Sequence, residues 1–414
     1  YGPYIQSERR GIYLEYAKQL VEKKAAYYCF CTKERLESLK TNDGELGASF
    51  NYDRHCLSLS QEEIEKNLAE GKPYVIRQFV PREGKTTFHD VVYGDITVDN
   101  ETLDDQILIK SDGLPTYNFA NVVDDHLMKI THVVRGNEYL SSTPKYNILY
   151  QAFGWDIPTY VHVPSVMKDA QHKLSKRNGD ASFQDLIAKG YLAEAILNYI
   201  ALLGWSPGGT REFFTLKELE ENFTIEGLSK SPSIFDIEKL KWMNAEYIRK
   251  ASPEDFLAMA KPYIVAATGE DSVLDLNKIA ALIQQRTEIL TDIPEKIDFF
   301  KELPDYDTAI YCHKKMKTDK DNSRENLKKI IAYFKENGDV LKSKWVSSEL
   351  YAALCELAAA CEVKNSQILW PVRTALSGKE VSPGGATELA EILGYDETVR
   401  RLEIGLEKLE KESV

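Results

Sequence analysis

Lys173-Leu174-Ser175-Lys176-Arg177, followed by Asn178-Gly179-Asp180, is the sharpest chemical motif in the chain. Residues 168–177 hold Lys168, Lys173, Lys176 and Arg177 against Asp169 alone, in a protein whose net charge is −13. The run follows a predicted strand and precedes a helix starting near Ser182. Lysine ammonium groups on such a loop are compact charges suited to a triphosphate and to the charge that builds on a leaving pyrophosphate. A solvated basic loop has the same composition, and the run by itself does not separate the two readings.

A second constellation runs from Ser111 to Asp125 and continues through Val133-Val134-Arg135-Gly136-Asn137-Glu138. Arg135 falls at the carboxyl end of a predicted parallel strand, where open α/β sheets bind ligands. An arginine there can grip a carboxylate through two parallel hydrogen bonds. Tyr117 and Asn121, four residues apart, share a face if their stretch is helical and can add neutral donors to the same anion. The competing reading makes Tyr117 a core residue and pairs Arg135 with Asp124 or Asp125.

Three of the six cysteines crowd into a third cluster, Cys29-Phe30-Cys31 and Cys56, with Tyr52 and His55 just before Cys56. Three soft thiolates suit a tetrahedral metal, Zn²⁺ above others, with His55 or Tyr52 as fourth ligand. Three reduced, metal-free thiols are the alternative. Cys312, Cys355 and Cys361 read as small core residues.

The elements that must carry these residues follow from periodicity. The chain has 414 residues, enough for about three domains at roughly 150 each. Its 43% apolar and 28% charged residues are those of a globular protein, which excludes disordered, collagen and coiled-coil classes. No segment approaches the ~20 apolar residues of a membrane span, six cysteines are too few for a disulfide scaffold, and no signal peptide is evident. The acidic balance leaves any RNA partner to local basic patches. Residues 7–24 read as a helix capped by Ser7, with Ile12, Tyr13, Tyr16, Leu20 and Val21 as its apolar stripe. Short β-like runs follow at 74–80, 86–88 and 107–110. Ile130–Arg135 and Tyr160–Pro164 read as strands around a helix over Thr143–Phe153, a βαβ rhythm that implies a parallel sheet. Beyond the turn Gly204–Gly209 only helices are predicted, over 252–265, 275–292, 323–337, 347–362, 366–376 and 383–393, the last with Pro383 at its start and Gly394 past its end.

Several phrases, in one order and register from Tyr1 to the C-terminus, carry a resemblance. They include YGPYIQSERRGIYLEYAKQL, SDGLPTYNFANVVDDHLMKITHVVRG, SSTPKYNILYQAFGW, HVPSVMKDAQHKLSKR, FDIEKLKWMNAEYIR and LWPVRTALSGKEVSPGG. Together they resemble the bacterial-type glutamyl-tRNA synthetases, which are class I aminoacyl-tRNA synthetases. The resemblance implies an α/β Rossmann-like catalytic domain (1–24 and 111–203), split by an α+β acceptor-stem insertion (25–110). All-α stem-contact (204–302) and anticodon-binding (303–414) domains would follow. It implies a cytoplasmic monomer that takes ATP with Mg²⁺, L-glutamate and tRNA(Glu). Tyr117, Asn121 and Arg135 match glutamate-binding positions. Lys173, Leu174, Ser175, Lys176 and Arg177 match the ATP-binding signature loop, with Lys173 and Lys176 as its catalytic lysines. Arg286 corresponds to an anticodon-contacting arginine. Cys29, Cys31, Tyr52 and Cys56 fit the zinc pattern of some relatives, which favours Tyr52 over His55.

Two departures accompany the resemblance. Asn137-Glu138-Tyr139 replaces the usual Glu-Glu-Trp. The first class I signature, of His-x-Gly-His type, is expected upstream of Tyr1, and without it the chain would be a tRNA-binding module lacking catalysis. A glutaminyl-type enzyme is the other alternative, and the helical C-terminal third argues against it.

Overall fold

A computed structural model describes residues 1–42, 52–174 and 182–411. The chain packs into two units, 1–174 with 201–212 and 218–235, and 175–200 with 213–217 and 236–414.

Among the described residues, the first unit holds all the sheets. Helix α1 (Arg10–Glu22) buries Tyr13, Ala17 and Leu20, spaced four and three residues apart as a helical stripe requires. Ser7 does not cap it: a 3₁₀ turn over Gln6–Arg9 leads in, and no side chain caps the helix. Arg9 is drawn inward by Asp124 at 2.8 Å, which tightens the entry. Strand β1 (Ala26–Cys29) follows, then α2 (Lys33–Asn42), α3 (Gln61–Ala69) and strand β2 (Val75–Gln78). A hairpin of β3 (Lys85–Asp90) and β4 (Gly94–Asp99) comes next, then β5 (Ile107–Ile109). Helix α4 (Tyr117–Leu127), β6 (His132–Gly136), α5 (Thr143–Phe153) and β7 (Thr159–Val163) form the βαβ core. Helix α5 ends on Gly154, whose φ of 76° is the left-handed cap that favours glycine.

Strands β1, β2 and β5 form one antiparallel sheet, and β4-β3-β7-β6 another, in which β3, β7 and β6 run parallel. The hairpin, expected within the insertion at 25–110, therefore extends the parallel sheet instead. Its joint is buried: Asp90 in β3 pairs in register with Tyr160 and binds the amide of His162 in β7. Short strands β8 (Val166–Met167) and β9 (Ser233–Ile234) pair in parallel, so one small strand does lie beyond Gly204. Trp205 in that turn is buried rather than part of an open linker. Tyr13, Leu20, Ile76, Leu108, Phe119, Val123, Leu149 and Phe153 belong to the core of this unit.

In the second unit, Ser252, Asp275 and Asp319 cap helices Pro253–Thr268, Leu276–Ile283 and Lys320–Glu336. The helix expected over 275–292 ends at Ile283. There Gln284 turns in to donate to the carbonyls of Ile248 and Ala251, and 3₁₀ turns follow. The last expected helix starts at Ala386 after Gly385, leaving Pro383 outside it. Helices Ile237–Lys250 and Tyr395–Lys411 add to those expected. Cys312 is exposed and Cys355 and Cys361 are half-buried, so none is a core residue. Cys355 lies beside the buried stripe Leu350, Leu354 and Ala358 of its helix rather than on it.

Candidate active site

The register of β6 against β7 sets Arg135 directly beside His162. Arg135 Nε donates to His162 Nε2 at 3.1 Å, and its Nη2 donates to Thr143 Oγ1 at 2.8 Å. The guanidinium carbon lies 5.1, 4.8 and 5.4 Å from the ring centres of Tyr139, Tyr146 and Tyr160. These rings attract its charge without neutralising it. Asp124 does not pair with Arg135, because Arg9 and the Tyr13 hydroxyl occupy it, each at 2.8 Å. Asp125 makes no ion pair with Arg135 either; burial pushes its carboxyl up to about 6, and the charge of Arg135 pulls it back only in part. Among the described residues, then, Arg135 is a half-buried cation held only by neutral groups.

Tyr117 and Asn121 fall on one face of α4, as the four-residue spacing implies. Tyr117 is 55% exposed, which removes the core reading, and its ring lies 5.7 Å from that of Tyr139. Asn121 is close enough to the Tyr146 hydroxyl to lower its pKa against the larger effect of burial, which raises it. The Oδ1 of Asn121 is buried with no hydrogen-bond partner among the described residues. Arg135, Tyr117 and Asn121 thus meet around Tyr139 and Tyr146. A buried polar atom without a partner and a cation without a counter-ion are what an amino-acid-sized anion with a polar head would satisfy.

The basic run begins on a hairpin that leaves the carboxyl end of β7. Lys173 bridges back to Met167, Leu174 N donates to Val166 O at 3.0 Å, and Asp169 closes the tip by accepting from the amides of Gln171 and His172. Lys173 is exposed. Ser175, Lys176 and Arg177 lie outside the described residues.

The cysteine cluster is assembled by β1 and the 3₁₀ turn His55–Ser58. The three sulfurs lie within 4.8 Å of one another. The Tyr52 hydroxyl sits among them, 3.3 Å from Cys29 Sγ and 3.1 Å from Cys31 Sγ, and accepts from the Cys56 amide at 3.2 Å. Among the described residues the His55 ring is not part of this group. Hydrogen bonding from Cys56 lowers the Cys29 thiol to about 4, with burial opposing; the same contact raises Cys56, and burial raises Tyr52. The Arg77 guanidinium, itself buried, stacks on the Tyr52 ring at 4.1 Å. Three convergent thiols, one already favouring the thiolate, and a central phenol fit a soft divalent ion.

Comparison with known proteins adds a second line of observation. Residues 1–242 match the family model for the catalytic domain of class I tRNA synthetases (E and Q), and residues 255–406 match an anticodon binding domain. The chain belongs to the class I tRNA synthetases of the E and Q type. It is 60% identical over 408 residues to a glutamate–tRNA ligase of Clostridium botulinum, covering 99% of this chain and 83% of that protein. It is likewise 60% identical over 412 residues to that of Clostridium kluyveri, covering 100% and 83%. The structure is similar to the crystal structure of a glutamate–tRNA ligase from Elizabethkingia meningosepticum in complex with its amino acid, with a TM-score of 0.87 and 32% identity over 99% of this chain and 84% of that one.

Within the synthetase's anticodon-binding region, Arg373 stacks on Trp370 at 4.1 Å beside a cavity of about 980 Å³ that also takes in Tyr351 and Asn365. Its Nη1 donates to Ser382 and its Nη2 to the Glu380 carbonyl, while Nε is buried without a partner among the described residues. Arg286 lines a different cavity, of about 560 Å³, together with Lys296 and Lys379. Sequence reasoning singled out Arg286 but not Arg373, although LWPVR was among the phrases carrying the resemblance. It also gave no site role to Thr143, His162 or Asp90. The alternation of β3, in which Thr86, Phe88 and Asp90 all face inward, was the available signal for Asp90, as a carboxylate on a buried face needs a partner.

Proposed function

We propose that this synthetase activates L-glutamate with ATP and ligates it to tRNA(Glu). The observation that carries the reading is Arg135, a half-buried guanidinium with no carboxylate partner among the described residues, at the carboxyl end of a parallel sheet. The side-chain carboxylate of glutamate completes it. Neutral glutamine leaves the cation unpaired, and an unpaired, partly desolvated charge is costly, so charge sets the specificity. Asn121 offers its unpartnered Oδ1 to a polar hydrogen of the substrate, and the exposed Tyr117 closes the same side.

The α-carboxylate of glutamate attacks the α-phosphorus of ATP, presented as its Mg²⁺ complex, and pyrophosphate leaves. A ribose hydroxyl of the terminal adenosine of tRNA then attacks the adenylate carbonyl, forming the ester, losing its proton and releasing AMP. Neither step needs a protein nucleophile, so the chain's work is alignment and charge compensation. Lys173 and Lys176, with Leu174, Ser175 and Arg177 completing the loop, take the triphosphate, and Lys176 follows the charge onto pyrophosphate. Cys29, Cys31, Cys56 and Tyr52 would hold Zn²⁺ as a structural staple of the acceptor-stem region, tying β1 to the 3₁₀ turn at 55–58. Arg373 on Trp370 and the cations around Arg286 give the anticodon region a stacking surface and phosphate-sized charge.

Glutamate-dependent pyrophosphate exchange in the presence of tRNA(Glu) tests the reading. Lys176→Ala should lower the exchange rate by roughly 10²- to 10³-fold with tRNA affinity nearly intact; an unchanged rate removes Lys176 from the mechanism.

A further inference from the structure

Arg135 is surrounded by three aromatic faces, and such faces hold a cation without fixing the rotation of its plane. A guanidinium recognises a carboxylate through a planar fork, so that rotation matters. Among the described residues only two hydrogen bonds set it: Nε to His162 Nε2 and Nη2 to Thr143 Oγ1. Thr143 is itself oriented, donating to the Tyr139 carbonyl at 2.9 Å. His162 lies deeper. It and Asp90 are both completely buried, and Asp90 Oδ2 stands 2.7 Å from His162 Nδ1.

The proton positions follow without choice. An arginine N–H can only donate, so His162 Nε2 must present its lone pair. The neutral ring then carries its hydrogen on Nδ1, and Asp90 Oδ2 accepts it. Three backbone amides complete the carboxylate: Val92 and Tyr93 donate to Oδ1 at 3.0 and 2.9 Å, and His162 to Oδ2 at 3.0 Å. All three are donors, so they too require Asp90 to accept. Burial and the charge of Arg135 lower the pKa of His162 against the opposing pull of Asp90, in keeping with a neutral ring. The three residues stand on three neighbouring parallel strands, β3, β7 and β6, so sheet register itself lines them up.

We propose that Asp90 and His162 are positioning residues for the amino-acid site: Asp90 fixes the tautomer of His162, and His162 anchors Arg135 by its Nε edge so that the remaining Nη groups face substrate as a fork. This rests on Arg135 being the glutamate-binding arginine. Nη1 has no protein partner among the described residues, which leaves it for the ligand.

Two conservative substitutions separate positioning from a purely structural tie between β3 and β7. His162→Asn puts an amide where Nδ1 stood and keeps the bond to Asp90, but offers Arg135 nothing. His162→Gln puts a carbonyl oxygen where Nε2 stood and keeps the acceptor. In glutamate-dependent pyrophosphate exchange, His162→Asn should raise the glutamate KM about 10- to 100-fold with the ATP KM within about 2-fold, and His162→Gln should bring the glutamate KM back to within about 3-fold of the parent. A normal KM in His162→Asn, or a larger rise in His162→Gln than in His162→Asn, overturns the proposal. If the parent protein shows no glutamate-dependent exchange, the ligase reading fails separately. The relay is then decided by long-range ¹H–¹⁵N spectra of the histidines: a His162 ring protonated on Nδ1 alone upholds it, and one protonated on Nε2 overturns it.

Discussion

Replacing Arg135 by alanine removes the one charge that, among the described residues, the proposed glutamate site directs at the substrate side chain. Stranding one member of a buried ion pair costs about 3–5 kcal/mol. Arg135 is half-buried, so solvent shares the load and the lower end applies. About 3 kcal/mol corresponds to roughly a 10²-fold rise in glutamate KM. The contact is made equally in ground and transition states, because the reacting carboxylate is at the other end of glutamate. The effect therefore belongs in KM, with kcat changed little. The fold should tolerate the change, since the groups left behind are His162 Nε2, Thr143 Oγ1 and three tyrosine rings, and none of them is a charge. Arg135→Lys sharpens the test. It keeps the charge but cannot reach His162, Thr143 and two ligand oxygens at once, so its KM should fall between parent and alanine. The assay is pyrophosphate exchange against glutamate concentration with saturating ATP and tRNA, beside a thermal melt. A KM within about 3-fold of the parent in a folded Arg135→Ala protein would refute the assignment.

Metal analysis of the purified protein should return one equivalent of zinc. Cys31→Ser should lose most of it, and Tyr52→Phe should release it faster to a chelator, as one donor of four is removed; a metal-free parent sinks the site. Asp125 gives a pH signature. Its folded-state pKa, about 6, lies above its ordinary value, so the stability it contributes is complete below the unfolded pKa and is lost as pH rises through 6. Asp125→Asn should therefore be more stable than the parent at pH 7.5, by about 1–2 kcal/mol once solvent sharing is allowed for, with the gain fading below about pH 5. Melting curves at the two pH values decide it, and an equal gain at both rules out the ionisation as its cause.

Much of the site could be read from spacing. The four-residue interval from Tyr117 to Asn121, the strand carrying Arg135 and the helix over Thr143–Phe153 follow from local periodicity; the helix stands at its expected bounds, and the strand is shifted from 130–135 to His132–Gly136. The helix starts near 252 and 275 were expected from the same periodicity, and there Ser252 and Asp275 cap their helices through contacts between residues two or three apart. The misreadings have a common cause in distant partners. Ser7 lost its role because Arg9 is pulled inward by Asp124 from another helix. The helix over 275–292 broke because Gln284 is recruited by carbonyls of Ile248 and Ala251.

The resemblance carried by ordered phrases identified the family and the chemistry class, because residues that touch substrate recur at set positions along a chain. What the linear order could not contain is which neutral groups hold Arg135 and why no acid does. Asp124 and Asp125 are nearest in sequence, yet Arg9 takes one and burial disfavours charge on the other. The residues that do hold the guanidinium, His162 and through it Asp90, come from strands 27 and 45 positions away. Parallel pairing brings such strands into register only when the whole sheet has closed, and that is a property of the folded chain alone.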